Sequence, residues 1–292
     1  MRAPRIKDFV DLAKPRIVFM VLVTTLLGYF LAAGGLHDAL RLALTLIGTA
    51  LSAGGAAVLN NFLERDIDAQ MDRTRGRALP AGIIEPSVAL AYGVVLVLGG
   101  VALLAWRVNL LTGFLVLLTA FLYVLVYTPL KRVSWWNTPI GAIPGALPPM
   151  IGWAAASGTL QPGAWILFAI LFAWQHPHFY AIAFMHRDDY ARAGFKMLTV
   201  VDATGRRIHR QSLFYALALI ALSILLARVQ VGGRIFLIGS IFLGAAMLTS
   251  CLYFAERRTR PDARRVLLAS IAYLPALLAL IVLDSVFFRA AF

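Results

Sequence analysis

Charged residues are scarce in this sequence. Only 14% of its 292 residues are Asp, Glu, Lys or Arg, whereas 61% are hydrophobic, and the mean hydropathy is +0.81. The single cysteine, Cys251, lies inside an apolar run, which excludes an internal disulfide and a cysteine-based metal cluster. Low-complexity linkers and polar stretches long enough for a soluble domain are also lacking. The sequence therefore predicts one membrane-embedded domain over residues 1–292.

Long apolar runs fill most of the chain. A membrane-spanning helix needs about 20 consecutive apolar residues, and these runs are continuous, unlike the short alternating segments of a transmembrane β-barrel. The predicted fold class is all-α, a polytopic bundle of nine transmembrane helices. The predicted spans are 17–34, 42–63, 87–106, 109–128, 138–156, 164–185, 212–229, 235–255 and 266–288.

Acidic residues are rarer than basic ones, 14 against 27. Of the 27 Lys and Arg residues, 22 fall in alternate loops that begin with the N-terminus, and the other five fall in the opposite set. The positive-inside rule then predicts a cytoplasmic N-terminus, with basic loops that attract anionic lipid. A nucleic-acid partner is not expected, because the basic residues are divided among five separate loops.

The stretch LNNFLERDIDAQMDRTRGR, residues 59–77, contains four of the 14 acids within nine positions. Asn60, Glu64, Asp68 and Asp72 follow one another in steps of four, so the first three share a helix face, and Asn61 joins them. Acids at this spacing repel each other unless a cation lies against them. Mg²⁺ is such a cation, because it prefers carboxylate oxygens and often bridges to phosphates. A solvated loop would explain the arginines of this stretch but not its acids.

A second polar cluster begins halfway along the predicted span 164–185. Gln175, His176 and His178 lie there, where polar groups are costly enough to suggest function. Gln175, His178 and His186 share a stripe, and His176 points elsewhere; a histidine at such a place can also be a simple interhelical hydrogen-bond donor. The stripe leads to residues that could equally be ordinary loop charges: Asp188, Asp189 and Tyr190.

Basic residues next to an aromatic ring form a third element, YTPLKR at 127–132. Tyr127 and Lys131 are i,i+4 partners if the helix continues through Pro129. A lysine suits phosphate and a tyrosine ring suits a cation, although an interfacial tyrosine followed by topology-setting cations looks the same. Lys14-Pro15 is likewise compatible with a simple helix start. Acids for a metal, bases for a polyanion and an apolar bundle together suit a prenyl diphosphate.

These motifs resemble the UbiA-type intramembrane prenyltransferases. NNFLERDIDAQMDRT is similar to their first aspartate-rich motif, with Asn60, Glu64, Asp68 and then Arg73, and Tyr127 with Lys131 matches their Tyr-x-x-x-Lys. Four further blocks between residues 12 and 198 resemble the branch that farnesylates protohaem IX: LAKPRI, YTPLKRVSWWNTPIGAIPGALPPMIGW, FAWQHPHFYAIA and RDDYARAGFKML. His186 and Tyr190 stand where other branches carry the ends of a second Asp-x-x-x-Asp.

The resemblance implies that the protein transfers farnesyl from farnesyl diphosphate to a vinyl group of haem b, with addition of water, to give haem O. It implies a bacterial plasma (inner) membrane protein that uses Mg²⁺, with haem b as a substrate rather than a cofactor. Partner proteins suggested by that role are a downstream haem A synthase and cytochrome oxidase assembly factors. The predicted catalytic residues are Asn60, Glu64, Asp68, Tyr127 and Lys131. The predicted metal ligands are Asn60, Glu64, Asp68, Asp72, Asp188 and Asp189. The predicted substrate-binding residues are Asn61, Arg65, Arg73, Gln175, His178, His186 and Tyr190.

Two other functions remain open from the sequence. A sister prenyltransferase that acts on an aromatic or quinone precursor would share the fold and the metal site. A secondary transporter also has many helices and intramembrane polar groups, but transporters tend to place their sites at the bilayer midplane. Here most of the charge lies at the predicted cytoplasmic ends of the helices.

Overall fold

The computed structural model describes residues 3–72, 74–202, 204–229 and 231–287. Helices dominate it, and no β-strand occurs within those ranges. In chain order the helices are α1 (Ile6–Leu12), α2 (Pro15–Ala33), α3 (Ala39–Asp68), α4 (Pro86–Arg107), α5 (Leu110–Phe121), a π-helix (Leu122–Tyr127), α6 (Thr128–Val133), α7 (Asn137–Ala146), α8 (Pro148–Ser157), α9 (Pro162–Met185), α10 (Arg187–Arg192), α11 (Leu198–Val201), α12 (Arg206–Arg228), α13 (Arg234–Arg257) and α14 (Arg260–Phe287).

The apolar helices confirm the predicted all-α membrane fold. Within the described ranges, eight helices are long and apolar enough to cross a membrane: α2, α3, α4, the continuous run Leu110–Val133, α9, α12, α13 and α14. The fifth predicted span, 138–156, is instead a pair of ten-residue helices, α7 and α8, that meet at Leu147. Pro148 and Pro149 begin α8, since proline lacks the N–H that a continuing helix would need. The chain is an integral membrane protein.

The chain divides into two compact units. One comprises Met1–Leu160 and Ala191–Lys196, and the other comprises Gln161–Tyr190 and Met197–Phe292. In the first unit α2, α3, α4, α5 and α8 pack in a closed order, each on the next and α8 back on α2. In the second, α9, α12, α13 and α14 do the same. The organisation of residues 1–292 as a single domain stays a prediction.

Small residues allow the closest helix contact of the first unit, between α2 and α8. A Cβ added to Gly28 would lie 1.9 Å from the carbonyl oxygen of Pro149, and one added to Gly152 would lie 1.8 Å from that of Thr25. Lipid is as apolar as the side chains, so membrane helices associate through such close backbone packing. Substitution of either glycine would force α2 and α8 apart.

A π-helix ends two residues before Pro129, and the helix continues beyond the end of the fourth predicted span, 109–128. The N–H of Thr128 bonds to the carbonyl of Tyr123, five residues back, and the Thr128 hydroxyl donates to the same oxygen at 2.8 Å. Irregular turns of this kind re-satisfy backbone groups that a proline leaves unpaired, and they are frequent at functional sites. The helix therefore continues through Pro129, which makes Tyr127 and Lys131 i,i+4 neighbours.

Candidate active site

The end of α3 carries a buried polar face. Asn60, Glu64 and Asp68 are 1%, 6% and 1% exposed, whereas the Asp66 side chain is 80% exposed. The predicted sharing of one face is thus confirmed, and this face points into the first unit. The α3 helix runs to Asp68 rather than to the predicted residue 63, so the acids lie on regular helix and not on a loop.

Each polar group of this face contacts a cation that lies outside α3. The Lys14 ammonium donates to Asn60 Oδ1 at 2.8 Å, and the Lys131 ammonium donates to Glu64 Oε1 at 2.8 Å. The Arg77 guanidinium donates to Asp68 Oδ2 at 2.6 Å. Three oxygen acceptors and three cations therefore alternate along two turns of α3. We call these six residues the paired-charge cluster.

Lys14 is held in an unusual backbone conformation at the junction of α1 and α2. Its φ is +52° and its ψ is +61°, a left-handed conformation that L-residues other than glycine rarely adopt. Burial lowers the pKa of its ammonium to about 7, and the nearby charges of Arg77 and Lys131 act in the same direction. Strained residues of this kind persist where the surroundings fix them, frequently at functional sites.

Neutral hydrogen bonds fix the remaining atoms of the cluster. Asn60 Nδ2 donates to the Thr128 hydroxyl at 3.0 Å, which connects α3 to the segment after the π-helix. Asn61 Nδ2 donates to the Leu12 carbonyl at 3.0 Å, and Asn61 Oδ1 accepts from Arg77 at 3.4 Å. Asn61 thus lies beside the cluster, as predicted, and its amide supports Arg77.

Tyr127 lies under the Lys131 ammonium, which is 4.6 Å from the centre of its ring. The Tyr127 ring also stacks on Tyr123, with 5.6 Å between centroids. A Cβ at Gly141 would come within 2.4 Å of the Tyr127 ring, so the ring fills the place that a side chain on α7 would take. These contacts fix the tyrosine against the lysine, at a typical cation–π distance.

The other predicted residues of this region lie apart from the cluster. Asp72 has a side chain that is 75% exposed and forms ion pairs with Arg75 at 3.4 Å and Arg192 at 3.9 Å. Arg65 donates to the carbonyl of Phe62 and pairs with Asp66 at 3.5 Å. Arg73 lies outside the described residues. The roles assigned to these three side chains stay predictions.

The two histidines of α9 face different neighbours in the second unit. His176 is fully buried, and its ring stacks on Tyr215 of α12 with 3.7 Å between centroids. His178 contacts α14, where its Nδ1 lies 2.8 Å from the Ser270 hydroxyl, and its ring stacks on Trp174. The predicted divergence of the two side chains is present in the structure.

The rest of the second polar cluster follows at the end of α9 and in α10. Gln175 is buried and donates to the Leu171 carbonyl at 3.2 Å. Asp188 pairs with Arg260 at 3.0 Å and with Arg187 at 3.6 Å. His186 Nδ1 lies 3.9 Å from Asp189 Oδ2, and Tyr190 follows in α10.

The donors of the paired-charge cluster suit Mg²⁺ by their chemistry. Asn60, Glu64 and Asp68 offer one amide oxygen and two carboxylates on one buried face, and hard cations of this kind take oxygen ligands. In the described ranges no group of three or more His, Cys, Asp or Glu side chains is placed to hold a metal ion. Only two acids contribute here, and each is paired with a cation through one of its two oxygens, Glu64 Oε1 and Asp68 Oδ2.

Sequence reasoning missed three partners of these sites. Lys14 looked like a helix start. Arg77 looked like a topology signal, although it follows the end of α3 by only nine residues. Ser270 sits in an apolar helix with no motif. The LAKPRI block was the only sequence signal that pointed to Lys14.

This fold and this cluster define a class of membrane enzyme. Residues 21–278 match the model of the UbiA prenyltransferase family, and the chain belongs to that family. A protein of Solibacter usitatus named protoheme IX farnesyltransferase is 46% identical over an aligned length of 287 residues, and the alignment covers 95% of this chain and 98% of that protein. A protein of Salinibacter ruber with the same name is 44% identical over 277 residues, covering 95% of this chain and 98% of that protein.

Solved structures share the fold at low sequence identity. A structure of digeranylgeranylglyceryl phosphate synthase gives a TM-score of 0.82 at 16% identity, covering 96% of this chain and 98% of that one. A UbiA homologue from Archaeoglobus fulgidus, bound to GPP and Mg²⁺, gives a TM-score of 0.65 at 15% identity, covering 94% of this chain and 99% of that one.

Proposed function

We propose that this protein transfers a farnesyl group from farnesyl diphosphate to a vinyl group of protohaem IX, giving haem O and diphosphate. The full-length relatives with that name support the substrates. The observation that carries the chemistry is the paired-charge cluster, in which three buried oxygen acceptors each hold a cation. Such a site suits a ligand that brings its own anionic oxygens and divalent metal.

Asn60, Glu64 and Asp68 are the proposed Mg²⁺ ligands. When bound, the ion supplies neutralisation of the charge on the leaving diphosphate. Asp188 and Asp189 are the proposed acids for a second ion, and Asp72 is a further ligand of the first. Because Asp188 is paired with Arg260, its use as a ligand requires that this ion pair opens.

The cations Lys14, Lys131 and Arg77 are proposed to bind the diphosphate itself. In the structure they are bonded to Asn60, Glu64 and Asp68, so these side-chain cations already lie beside the proposed metal ligands. They stabilise the negative charge that develops as the allylic C–O bond breaks and its electron pair leaves with the diphosphate. Donors already in place for developing charge are among the largest contributions to catalysis.

Tyr127 is proposed to shield the allylic cation. Its ring already lies against the Lys131 ammonium, so a cation of similar charge can lie over the same ring face once Lys131 turns to the diphosphate. A haem vinyl carbon then attacks the cation. Water adds to the resulting cation at the carbon next to the porphyrin ring and loses a proton, which leaves a hydroxyl group. Arg65, Arg73, His186, Tyr190 and Gln175 are kept as proposed substrate-binding residues.

His178 is proposed to contact the haem iron, and its hydrogen bonds support that role. The Ser270 hydroxyl has one hydrogen, which it donates to the Leu267 carbonyl at 2.7 Å. His178 must therefore donate its Nδ1–H to Ser270 Oγ, as assigned from the hydrogen-bond network. In the neutral ring this leaves the lone pair on Nε2, the atom that can ligate a metal.

His176 is a weaker candidate for the iron. Its Nδ1 is 2.7 Å from the Phe172 carbonyl, and its ring stacks on Tyr215. Its Nε2 is buried and has no hydrogen-bond partner within the described part of the chain. A porphyrin could reach that nitrogen only if Tyr215 moved. His178, by contrast, is only partly buried.

The orientation proposed for the protein places the paired-charge cluster on the cytoplasmic side of the bacterial plasma membrane. The 22 basic residues of the loops on that side support this orientation. Farnesyl diphosphate is charged at one end and apolar at the other, so it would enter with its diphosphate at this surface and its chain in the bundle.

The test is turnover of the purified protein with haem b, farnesyl diphosphate and Mg²⁺, followed by chromatography and mass measurement of the pigment. The expected product has the mass of haem b plus one farnesyl group and one hydroxyl group, and EDTA abolishes it. A prenylated aromatic acid or quinone precursor, formed in parallel incubations while haem b stays unchanged, would identify the sister activity instead. Absence of diphosphate release from farnesyl diphosphate with every acceptor would refute both.

A further inference from the structure

A cavity separate from the paired-charge cluster lies within the second unit. Its volume is about 220 Å³, and it is formed where α9 ends, α12 begins and α13 ends. Among the side chains that line it are two cations and one imidazole, Arg187, Arg258 and His209. None of these residues has a role in the proposed prenyl transfer.

His209 is buried at this cavity, and neither ring nitrogen has a hydrogen-bond partner among the residues that the structure describes. It is only 5% exposed, and its ring lies edge-to-face on Phe254 at 4.6 Å. Buried polar side chains are nearly always hydrogen-bonded in native proteins. The nearest heavy atom to a Cβ built on Gly205 would be His209 Nε2, at 3.4 Å, so a side chain at 205 would press directly on this nitrogen.

Arg258 reaches the cavity from a strained backbone position. Its φ is +55°, a left-handed conformation that favours glycine, and it ends α13. Its guanidinium donates to two carbonyl oxygens, those of Ala255 and Thr204, each at 3.3 Å. Carbonyls leave the positive charge of an arginine unneutralised, and strain retained at such a residue suggests a role beyond the fold.

The one acid of the lining, Asp202, is occupied by the start of α12. Its Oδ1 accepts from the Thr204 hydroxyl at 2.6 Å, and its Oδ2 accepts from the backbone N–H of Arg207 at 2.8 Å. The carboxylate therefore serves as a helix cap rather than as the counter-ion of Arg258. The positive end of the α12 dipole adds to the field of the two arginines.

We propose that this cavity binds a phosphate group, held by the guanidinium groups of Arg258 and Arg187 and by an N–H of His209. Binding requires that Arg187 leaves its ion pair with Asp188 and that the buried His209 ring turns an N–H into the cavity. Phosphate oxygens match the donor geometry of arginine and satisfy the imidazole that the protein leaves unpaired. The phosphate can come from an anionic phospholipid headgroup or from free inorganic phosphate. The cavity lies at the ends of three predicted membrane-spanning helices, the level at which lipid phosphates are found.

Thermal unfolding of the delipidated full-length protein tests the proposal, with inorganic phosphate titrated at constant ionic strength. The second arm compares nanodiscs of phosphatidylcholine with and without phosphatidylglycerol in phosphate-free buffer. The variants are Arg258→Gln and His209→Phe. The matched control is Arg257→Gln, which removes the same charge one residue earlier, where the guanidinium lies over the Tyr253 ring instead. Lys131→Gln weakens phosphate binding at the paired-charge cluster, so it distinguishes binding there from binding in the cavity.

The expected result is a saturable rise of the unfolding midpoint that Arg257→Gln and Lys131→Gln retain. Arg258→Gln and His209→Phe should weaken the apparent affinity at least tenfold. That pattern with inorganic phosphate identifies free phosphate as the ligand, and the same pattern only with phosphatidylglycerol identifies the lipid. Arg258→Gly guards against misfolding, since glycine accepts the left-handed φ and should keep the ligand-free midpoint. Equal shifts in all variants in both arms would overturn the proposal.

Discussion

Removal of the Lys131 charge should separate the structural and catalytic roles of the Glu64–Lys131 pair. The two groups are 2.8 Å apart, and their side chains are 8% and 12% exposed. Their mutual attraction is about 6 kcal/mol at an effective dielectric constant of about 20, and desolvation offsets much of it. Loss of one partner leaves the other charge buried and unpaired, which costs roughly 3–5 kcal/mol. Lys131→Met should therefore lower the free energy of unfolding by about that amount.

The double variant Glu64→Gln/Lys131→Met removes both charges and should regain most of that stability. Turnover should not return with it, since a cation for the diphosphate is still missing. Removal of one group that stabilises transition-state charge lowers kcat by roughly 10²–10³-fold. The assay is equilibrium unfolding in mixed detergent beside haem O formation for all four members of the cycle.

Two outcomes would refute this reasoning about the pair. Recovery of turnover in the double variant, in parallel with its stability, would mean that the pair only holds α3 against the segment after the π-helix. Unchanged stability of Lys131→Met would mean that Glu64 gains nothing from its partner, contrary to the geometry of the buried contact.

Four further substitutions test other residues of the proposed sites and the start of α12. Asp68→Asn should leave the protein folded in membranes and abolish haem O formation measured by mass; near-normal product would contradict its role. Lys14→Gly introduces a residue that accepts the left-handed backbone, so the variant should stay folded. Its turnover should fall roughly tenfold or more, because the diphosphate loses a charged hydrogen bond of ~1.5–3 kcal/mol. Turnover equal to wild type would exclude Lys14 from the site. Ser270→Ala should weaken haem binding, followed by its visible absorption, about 10–100-fold and should leave the KM for farnesyl diphosphate unchanged. The partly buried Ser250→Ala should leave both unchanged. A changed KM in Ser270→Ala would indicate a general packing defect. Asp202→Ala should lower the free energy of unfolding by about 1 kcal/mol near neutral pH, because the start of α12 loses its cap. Burial raises the pKa of Asp202, but hydrogen bonds from Thr204 and Arg207 outweigh it and lower the pKa in the folded protein. The difference from wild type should therefore vanish as the pH falls.

The membrane helices were predictable because hydropathy alone determines them. Eight predicted spans match long helices within a few residues, and the largest differences lie at charged ends. The α12 and α14 helices begin six residues before their predicted starts, at Arg206 and Arg260. Helical hydrogen bonds continue there although the residues are polar, so an apolar window ends too early.

The acid face was predictable from spacing, but its partners were not. Steps of four residues put Asn60, Glu64 and Asp68 on one side of any helix. Lys14 and Arg77 approach that side only through the tertiary fold, and in the sequence they are two of 22 basic residues in the same set of loops. The Ser270 hydroxyl likewise cannot be connected with His178 until the structure shows that the two side chains are in contact.

The π-helix between Leu122 and Tyr127 has a consequence for how this span tolerates changes in length. An α-helix turns about 100° per residue, so loss of one residue from α5 would swing Lys131 away from Glu64. A π-turn instead contains one surplus residue that the helix accommodates locally. Deletion of a single residue between Tyr123 and Tyr127 should therefore restore ordinary winding and leave the lysine in register. Among natural variants, single-residue gaps in this span are expected at that turn and nowhere else along it.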